Sequence, residues 1–342
     1  MTALTINARY KNRPLTGVER FAFEVEKQLR NRKGLEISEV DPGRELSGLK
    51  GHSWEQFVLP SRVKGSDILF SPCNTGPVSV ANQLVVIHDA AVWDYPEGFS
   101  RSFGTVYRNL LPALAKRCRW VATVSEFSRG RLAEHLKVPE KRILVLGNAT
   151  SSDFCPPENR TSDGPPRFFC VSSLDPRKNF VRLIKVWEQL RKSGKLPEGT
   201  TLRIAGGANP RNFSAIEFED SPSVKWLGRI SDEELVAEYQ SATAFIFPSL
   251  YEGFGLPPLE ALACGCPVLL SNRASLPEVG GPESEGAVIY FDPDDESSMG
   301  SSIEQMIGFS GAEIDRISRK AIERSQKFSW ESVADRLVTA LK

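Results

Sequence analysis

The 342 residues hold 43 Lys/Arg against 43 Asp/Glu and are 40% apolar, a length suited to two domains of roughly 100–200 residues each and a balance without the basic excess that nucleic-acid binding needs. The neutrality conceals a division, because residues 1–155 hold 22 Lys/Arg against 16 Asp/Glu and the remainder holds 21 against 27. No run of 18 apolar residues is present to span a bilayer, Met1 to Pro14 lacks the apolar core of a signal peptide, and six scattered cysteines without a C-x-x-C pair argue against a disulfide framework or zinc site and for a reducing, cytoplasmic setting.

In chain order, Leu4 to Ala8 reads as a first strand. A loop through Pro14 and Gly17 follows, and then apolar positions at Val18, Phe21, Ala22, Val25 and Leu29 keep a helical period. Asp67 to Phe70, Gln83 to Ile87, Trp120 to Val124 and Ile143 to Leu146 read as buried parallel strands separated by helical stretches. Ser151 to Pro166 is rich in Pro, Ser, Asp and Gly and marks a boundary. A second series then runs through Arg167 to Val171, Leu202 to Ala205, Val224 to Leu227, Ala244 to Phe247 and Pro267 to Leu270, and an amphipathic segment from Phe328 closes the chain. The alternation predicts an α/β protein with units at 1–155 and 156–327 and a terminal helix at 328–342.

Phe247 to Asn272 carries the most chemistry. An apolar strand is followed by Glu252-Gly253-Phe254-Gly255-Leu256, two prolines suited to a first helical turn, and the helix former LEALA containing Glu260. Glycines let a backbone approach a ligand, and a helix N-terminus offers N–H groups and positive potential, which together suit a phosphate. Two carboxylates beside a phosphate cradle suggest a nucleotide sugar, with the diphosphate at the amides and hydroxyls at the acids. If the helix were continuous from Glu252, eight residues would separate the carboxylates by roughly 12 Å, too far for an acid/base pair across one glycosidic bond.

The stretch resembles glycosyltransferase family 4, the retaining enzymes with two Rossmann-like domains and an interdomain cleft known as the GT-B fold. The resemblance rests on Glu252-x7-Glu260 within PSLYEGFGLPPLE and on TGVERF, FSPCNTGP, VVIHDAAVWDYP, VATVSEFSR, VSSLDPRKNF, WLGRISDEEL and SLPEVGG in the family order. It implies an acceptor domain first, a nucleotide-sugar donor domain second, and a terminal helix returning to the first.

By the same resemblance, Glu252 contacts the donor sugar and Glu260 the ribose hydroxyls, while His88 faces the donor sugar as the second catalytic residue. Arg177 and Lys178 take the diphosphate, together with Gly17 and the loop Gly253, Phe254, Gly255 and Leu256. The family arginine ahead of Leu174 is Ser173 here, a departure for which Arg177 compensates. The Arg229 and Ile230 segment meets the base through its backbone. Asp89 either orients His88 or caps the next turn, and Ser125 caps a helix that starts near the cleft, where capping and a cleft role are compatible.

With two cations at the diphosphate, no metal and no other cofactor is expected. Asp292-Pro293-Asp294-Asp295 is read as a turn and cap. Arg101, Arg108, Lys116, Arg117 and Arg119, interleaved with apolar residues and without an acid between them, suit an anionic membrane surface or a solvated helix face, and Pro112 makes one continuous helix doubtful. The implied function is hexosyl transfer, with mannose from GDP-mannose favoured by family frequency, to a glycan or lipid-linked glycan in surface polysaccharide or lipopolysaccharide biosynthesis, as a cytoplasmic enzyme peripheral at the inner membrane face. A nucleotide-sugar epimerase of the same fold and a non-catalytic nucleotide-sugar-binding module are the alternatives. No nucleic-acid partner is expected.

Overall fold

The computed structural model describes residues 2–46, 48–65, 67–158, 164–171, 175–206 and 223–342. Ser173 and Leu174 lie outside the described residues. The chain forms two compact units, one of Met1–Ala149 with Ser329–Lys342 and one of Thr150–Phe328.

The first unit is built on β1 (Thr2–Asn7), β2 (Leu35–Val40), β3 (Ile68–Ser71), β4 (Gln83–Val86), β5 (Trp120–Thr123) and β6 (Ile143–Val145), in the order β2-β1-β3-β4-β5-β6. Every pairing is parallel. The unbroken burial of β3 and β4 is what helices on both faces of a parallel sheet demand. The edge strand β2 escapes a search for apolar runs, because its sequence LEISEV leaves most positions half or fully exposed.

Helix Gly17–Arg30 starts at a capping box formed by Thr16 and Glu19 and buries Phe21, Ala22, Val25 and Leu29. Helix Trp330–Leu341, capped by Ser329, belongs to this unit. Its Trp330 ring meets Phe21 at 5.8 Å, Asp335 pairs with Arg32 at 2.8 Å, and Arg336 donates to the Leu146 carbonyl at 2.8 Å. Helix Arg101–Arg117 runs unbroken through Pro112, against the doubt raised by the sequence. Interior proline costs about 3 kcal/mol, and burial of Gly104, Leu111, Leu114 and Ala115 on one face of the helix opposes that cost.

The second unit is built on β7 (Arg167–Val171), β8 (Thr201–Ala205), β9 (Val224–Gly228), β10 (Ala244–Phe247), β11 (Val268–Ser271) and β12 (Val288–Phe291), in the order β12-β11-β10-β7-β8-β9. All pairings are again parallel. The order is that of a doubly wound nucleotide-binding sheet, in which connections change direction between the two central strands and ligands bind at their carboxyl ends. Those strands are β7 and β10. The core includes Phe168, Trp187, Leu202, Ile246, Leu269, Met299 and Ile303.

The division at Ala149/Thr150 lies ahead of the expected residue 155. Phe154 is buried and packs its ring on Tyr239 at 6.1 Å, and the Cys155 carbonyl accepts from Gln240 at 2.8 Å, so these residues join the second unit. No cysteine is disulfide-bonded, and Cys118, Cys170, Cys264 and Cys266 are buried.

Candidate active site

Four residues of β10, all buried, lead into a loop that turns into helix Leu256–Ala263 at Gly255, whose φ is +107°. A side chain at Gly255 would be strained in that conformation, and its Cβ would come within 2.8 Å of Leu276 Cδ2. Because the helix begins at Leu256, Glu252 lies on the loop, and the 12 Å helical spacing between Glu252 and Glu260 does not apply. Pro257 and Pro258 occupy the first turn without amide protons, so the N–H donors at the start of this helix are those of Gly255 and Leu256. The Phe254 side chain is buried and meets Phe328 edge-on at 5.8 Å.

A short 3-10 turn, Pro176–Lys178, follows β7. Lys178 Nζ donates to Glu252 Oε1 at 2.6 Å, joining the carboxyl ends of the two central strands, and both side chains are about 14% and 13% exposed. The backbone couples the same segments, since Leu250 N donates to the Arg177 carbonyl at 2.8 Å. Arg177 Nη2 donates to Asp175 Oδ2 at 3.0 Å and its backbone N–H to Asp175 Oδ1 at 3.0 Å. Burial would raise the Asp175 carboxyl, but the Arg177 hydrogen bonds outweigh it and hold the group below its ordinary value. Each cation expected at the diphosphate is therefore paired with a carboxylate in this structure.

Glu260 is buried, and Tyr239 OH donates to its Oε2 at 3.2 Å. Burial, and then the charge of Glu260, push the Tyr239 hydroxyl well above its ordinary range, so it stays a donor. Tyr239 sits on helix Asp232–Ser241, whose Ser231/Glu234 capping box directly follows Arg229 and Ile230. Arg229 is exposed and Ile230 half-buried, at the end of the edge strand β9.

The remaining expected residues belong to the first unit. His88 follows β4 and is buried. Its Nε2 lies 2.8 Å from the Pro72 carbonyl, which can only accept, so Nε2 carries the proton and Nδ1 is left as an acceptor. Burial lowers its pKa, keeping the ring neutral near pH 7. Gly17 is the exposed first residue of its helix, and Phe21 of that helix meets the His88 ring edge-on at 4.9 Å. Asp89 accepts from Ala91 N at 2.9 Å, a local turn ahead of helix Ala91–Asp94, and Ser125 caps its helix by accepting from Ser128 N at 3.0 Å.

Residues 152–309 match the family model described as glycosyl transferases group 1, inside the second unit. This match, with the relatives that follow, supports a group 1 glycosyltransferase. It is 28% identical over 280 residues to O-antigen chain mannosyltransferase B of Escherichia coli, covering 78% of this chain and 71% of that protein. It is 31% identical over 233 residues to O-antigen chain mannosyltransferase RfbU of Salmonella typhimurium, covering 66% of this chain and 61% of that one. Sucrose-phosphate synthase from Thermosynechococcus elongatus superimposes with a TM-score of 0.74 at 17% identity, covering 99% of this chain and 98% of the other. The fold is GT-B.

The aspartates after β12 are engaged by cations and a cap. Arg273 Nη2 lies 2.8 Å from Asp292 Oδ1 and 3.4 Å from Asp294 Oδ2, Arg182 pairs with Asp294 at 3.0 Å, and Asp295 caps the helix that follows. Among the described residues no group of three or more His, Cys, Asp or Glu is arranged to hold a metal. Sequence reasoning missed Asp175, Tyr239 and the buried Arg9–Glu55 pair, 3.7 Å apart, at the end of β1. Asp175 precedes Pro176 in the cap position, the one signal that could have found it.

Proposed function

We propose that this enzyme transfers a hexose, with mannose from GDP-mannose favoured, to a glycan or lipid-linked glycan acceptor in surface polysaccharide assembly, with retention of configuration and without a metal or other cofactor. The observation that carries the donor site is the Lys178–Glu252 pair beside the Gly253–Leu256 loop, at the carboxyl ends of the two central strands. On leaving, the diphosphate is met by Lys178, Arg177 and the amides of Gly255 and Leu256, which suits charge compensation without a divalent ion. Glu252 accepts a donor-sugar hydroxyl once Lys178 turns to phosphate, and Glu260, oriented by Tyr239, accepts from the ribose. His88 of the first unit, neutral, offers Nδ1 as an acceptor suited to a hydroxyl.

The relatives named O-antigen chain mannosyltransferases support mannose and a surface glycan. Incubation with GDP-mannose, UDP-glucose and ADP-glucose, each with EDTA or with manganese, tests the reading. Nucleoside diphosphate release from one donor, equal in EDTA and manganese, is expected. Activity that disappears in EDTA and returns with manganese contradicts metal independence.

Peripheral contact with an anionic bilayer is part of the same proposal. Among the described residues no helix is long and apolar enough to cross a membrane. Helix Arg101–Arg117 exposes Arg101, Lys116 and Arg117, and its Phe103 is 38% exposed and stacked on Tyr107 at 4.0 Å. Each surface cation contributes about 1 kcal/mol at an anionic bilayer. Replacing these three by Glu should weaken sedimentation with anionic vesicles on the order of 100-fold or more. Equal absence of the wild type from anionic and neutral vesicles contradicts the membrane reading. Arg108 is left intact because its Nε donates to the Gly104 carbonyl at 3.1 Å.

A further inference from the structure

We propose that Ser275 is a positioning residue that aims the Gly255 amide of the glycine loop at the donor diphosphate, an inference that rests on the donor reading above. Ser275 is fully buried at the start of helix Leu276–Gly280, and Ser275-x-x-Glu278 has the pattern of a capping box. Its hydroxyl nevertheless makes no capping bond to its own helix. It lies 2.9 Å from the Glu252 carbonyl and 2.9 Å from the Phe254 carbonyl, sharing its single proton between them.

That diversion fixes the loop's direction. No peptide among the described residues is cis, and in a planar trans peptide the C=O and the N–H point opposite ways. The Phe254 carbonyl held by this hydroxyl therefore turns the Gly255 N–H away from Ser275, and the Glu252 carbonyl ties the start of the loop to the same point. Two further features hold Ser275 in place. Ala274 before it has φ +55°, a left-handed conformation that non-glycine residues adopt only when their surroundings enforce it. Leu276 after it is fully buried and sits where a Gly255 side chain would be, which closes the loop down on its seat. The side chain of Glu252 leaves the same loop toward Lys178, so the hydroxyl also sets where that carboxylate starts from.

The test compares Ser275→Ala with the near-isosteric Ser275→Cys, a much weaker donor. Binding of GDP and of guanosine is measured by calorimetry in EDTA, with thermal melting to verify folding, and UDP with uridine or ADP with adenosine is substituted if the wild type prefers that base. Both variants should bind the diphosphate about five- to tenfold more weakly than wild type and the nucleoside equally well, since only the phosphate meets the aimed amide. A merely structural role would weaken both ligands together. Equal weakening of both ligands, or no weakening of either, overturns the role of Ser275 and leaves the donor reading standing. A wild type that binds none of GDP, UDP and ADP overturns the donor reading and this role with it.

Discussion

Glu252→Gln is expected to lower kcat roughly 10–100-fold while tightening GDP binding roughly three- to tenfold. The two effects run in opposite directions because of one contact. Lys178 Nζ sits 2.6 Å from Glu252 Oε1, in a position only about 14% exposed, where screening by water is weak. A diphosphate that draws Lys178 to itself must give up part of that pairing. Glutamine keeps the shape and removes the charge, so Lys178 meets the diphosphate at lower cost. The same change removes the carboxylate that accepts from the donor sugar, and a hydrogen bond to an ionised group is worth about 1.5–3 kcal/mol. Steady-state kinetics and calorimetry on one preparation read both quantities. Unchanged kcat in a folded variant contradicts the assignment, and weaker GDP binding contradicts the competition for Lys178.

Lys178→Ala is expected to weaken GDP binding by roughly 10–100-fold, the loss of one charge-assisted contact to phosphate. Part of that loss is repulsion, since Glu252 is left unpaired and largely buried beside the diphosphate. Lys178→Ala combined with Glu252→Gln should accordingly bind GDP better than Lys178→Ala alone. Calorimetry in EDTA measures both variants. GDP binding by Lys178→Ala equal to wild type places the phosphates elsewhere. A double variant weaker than Lys178→Ala shows that Glu252 does not oppose the phosphates.

The sequence made the frame of both sheets readable where strands are buried on two faces. β3, β4, β10 and β11 are short apolar runs bounded by polar segments, and their burial is complete. β2 was hidden because an edge strand with Glu36 and Glu39 has no such run. The glycine loop was legible because glycine and proline constrain the backbone locally. Pairings between distant residues were not. Lys178 and Glu252 are 74 residues apart, and Tyr239 reaches Glu260 from a different helix. Such contacts depend on strand order, which places β7 beside β10 although β8 and β9 intervene in the chain. Ser275 was obscured for another reason, since its local pattern fits an ordinary cap and only the structure sends its hydroxyl elsewhere. Asp89 and Ser125 each accept a backbone N–H a few residues on, the local contact their sequence positions suggest.

The most direct test of the central claim follows ¹³C-labelled mannose from GDP-mannose in EDTA, with a lipid-linked glycan extract as acceptor and NMR to read the anomeric carbon. The account predicts GDP release, label in the glycan, and an α-linkage matching the α-linked donor. Label recovered only in an altered nucleotide sugar, or a β-linked product, would contradict it.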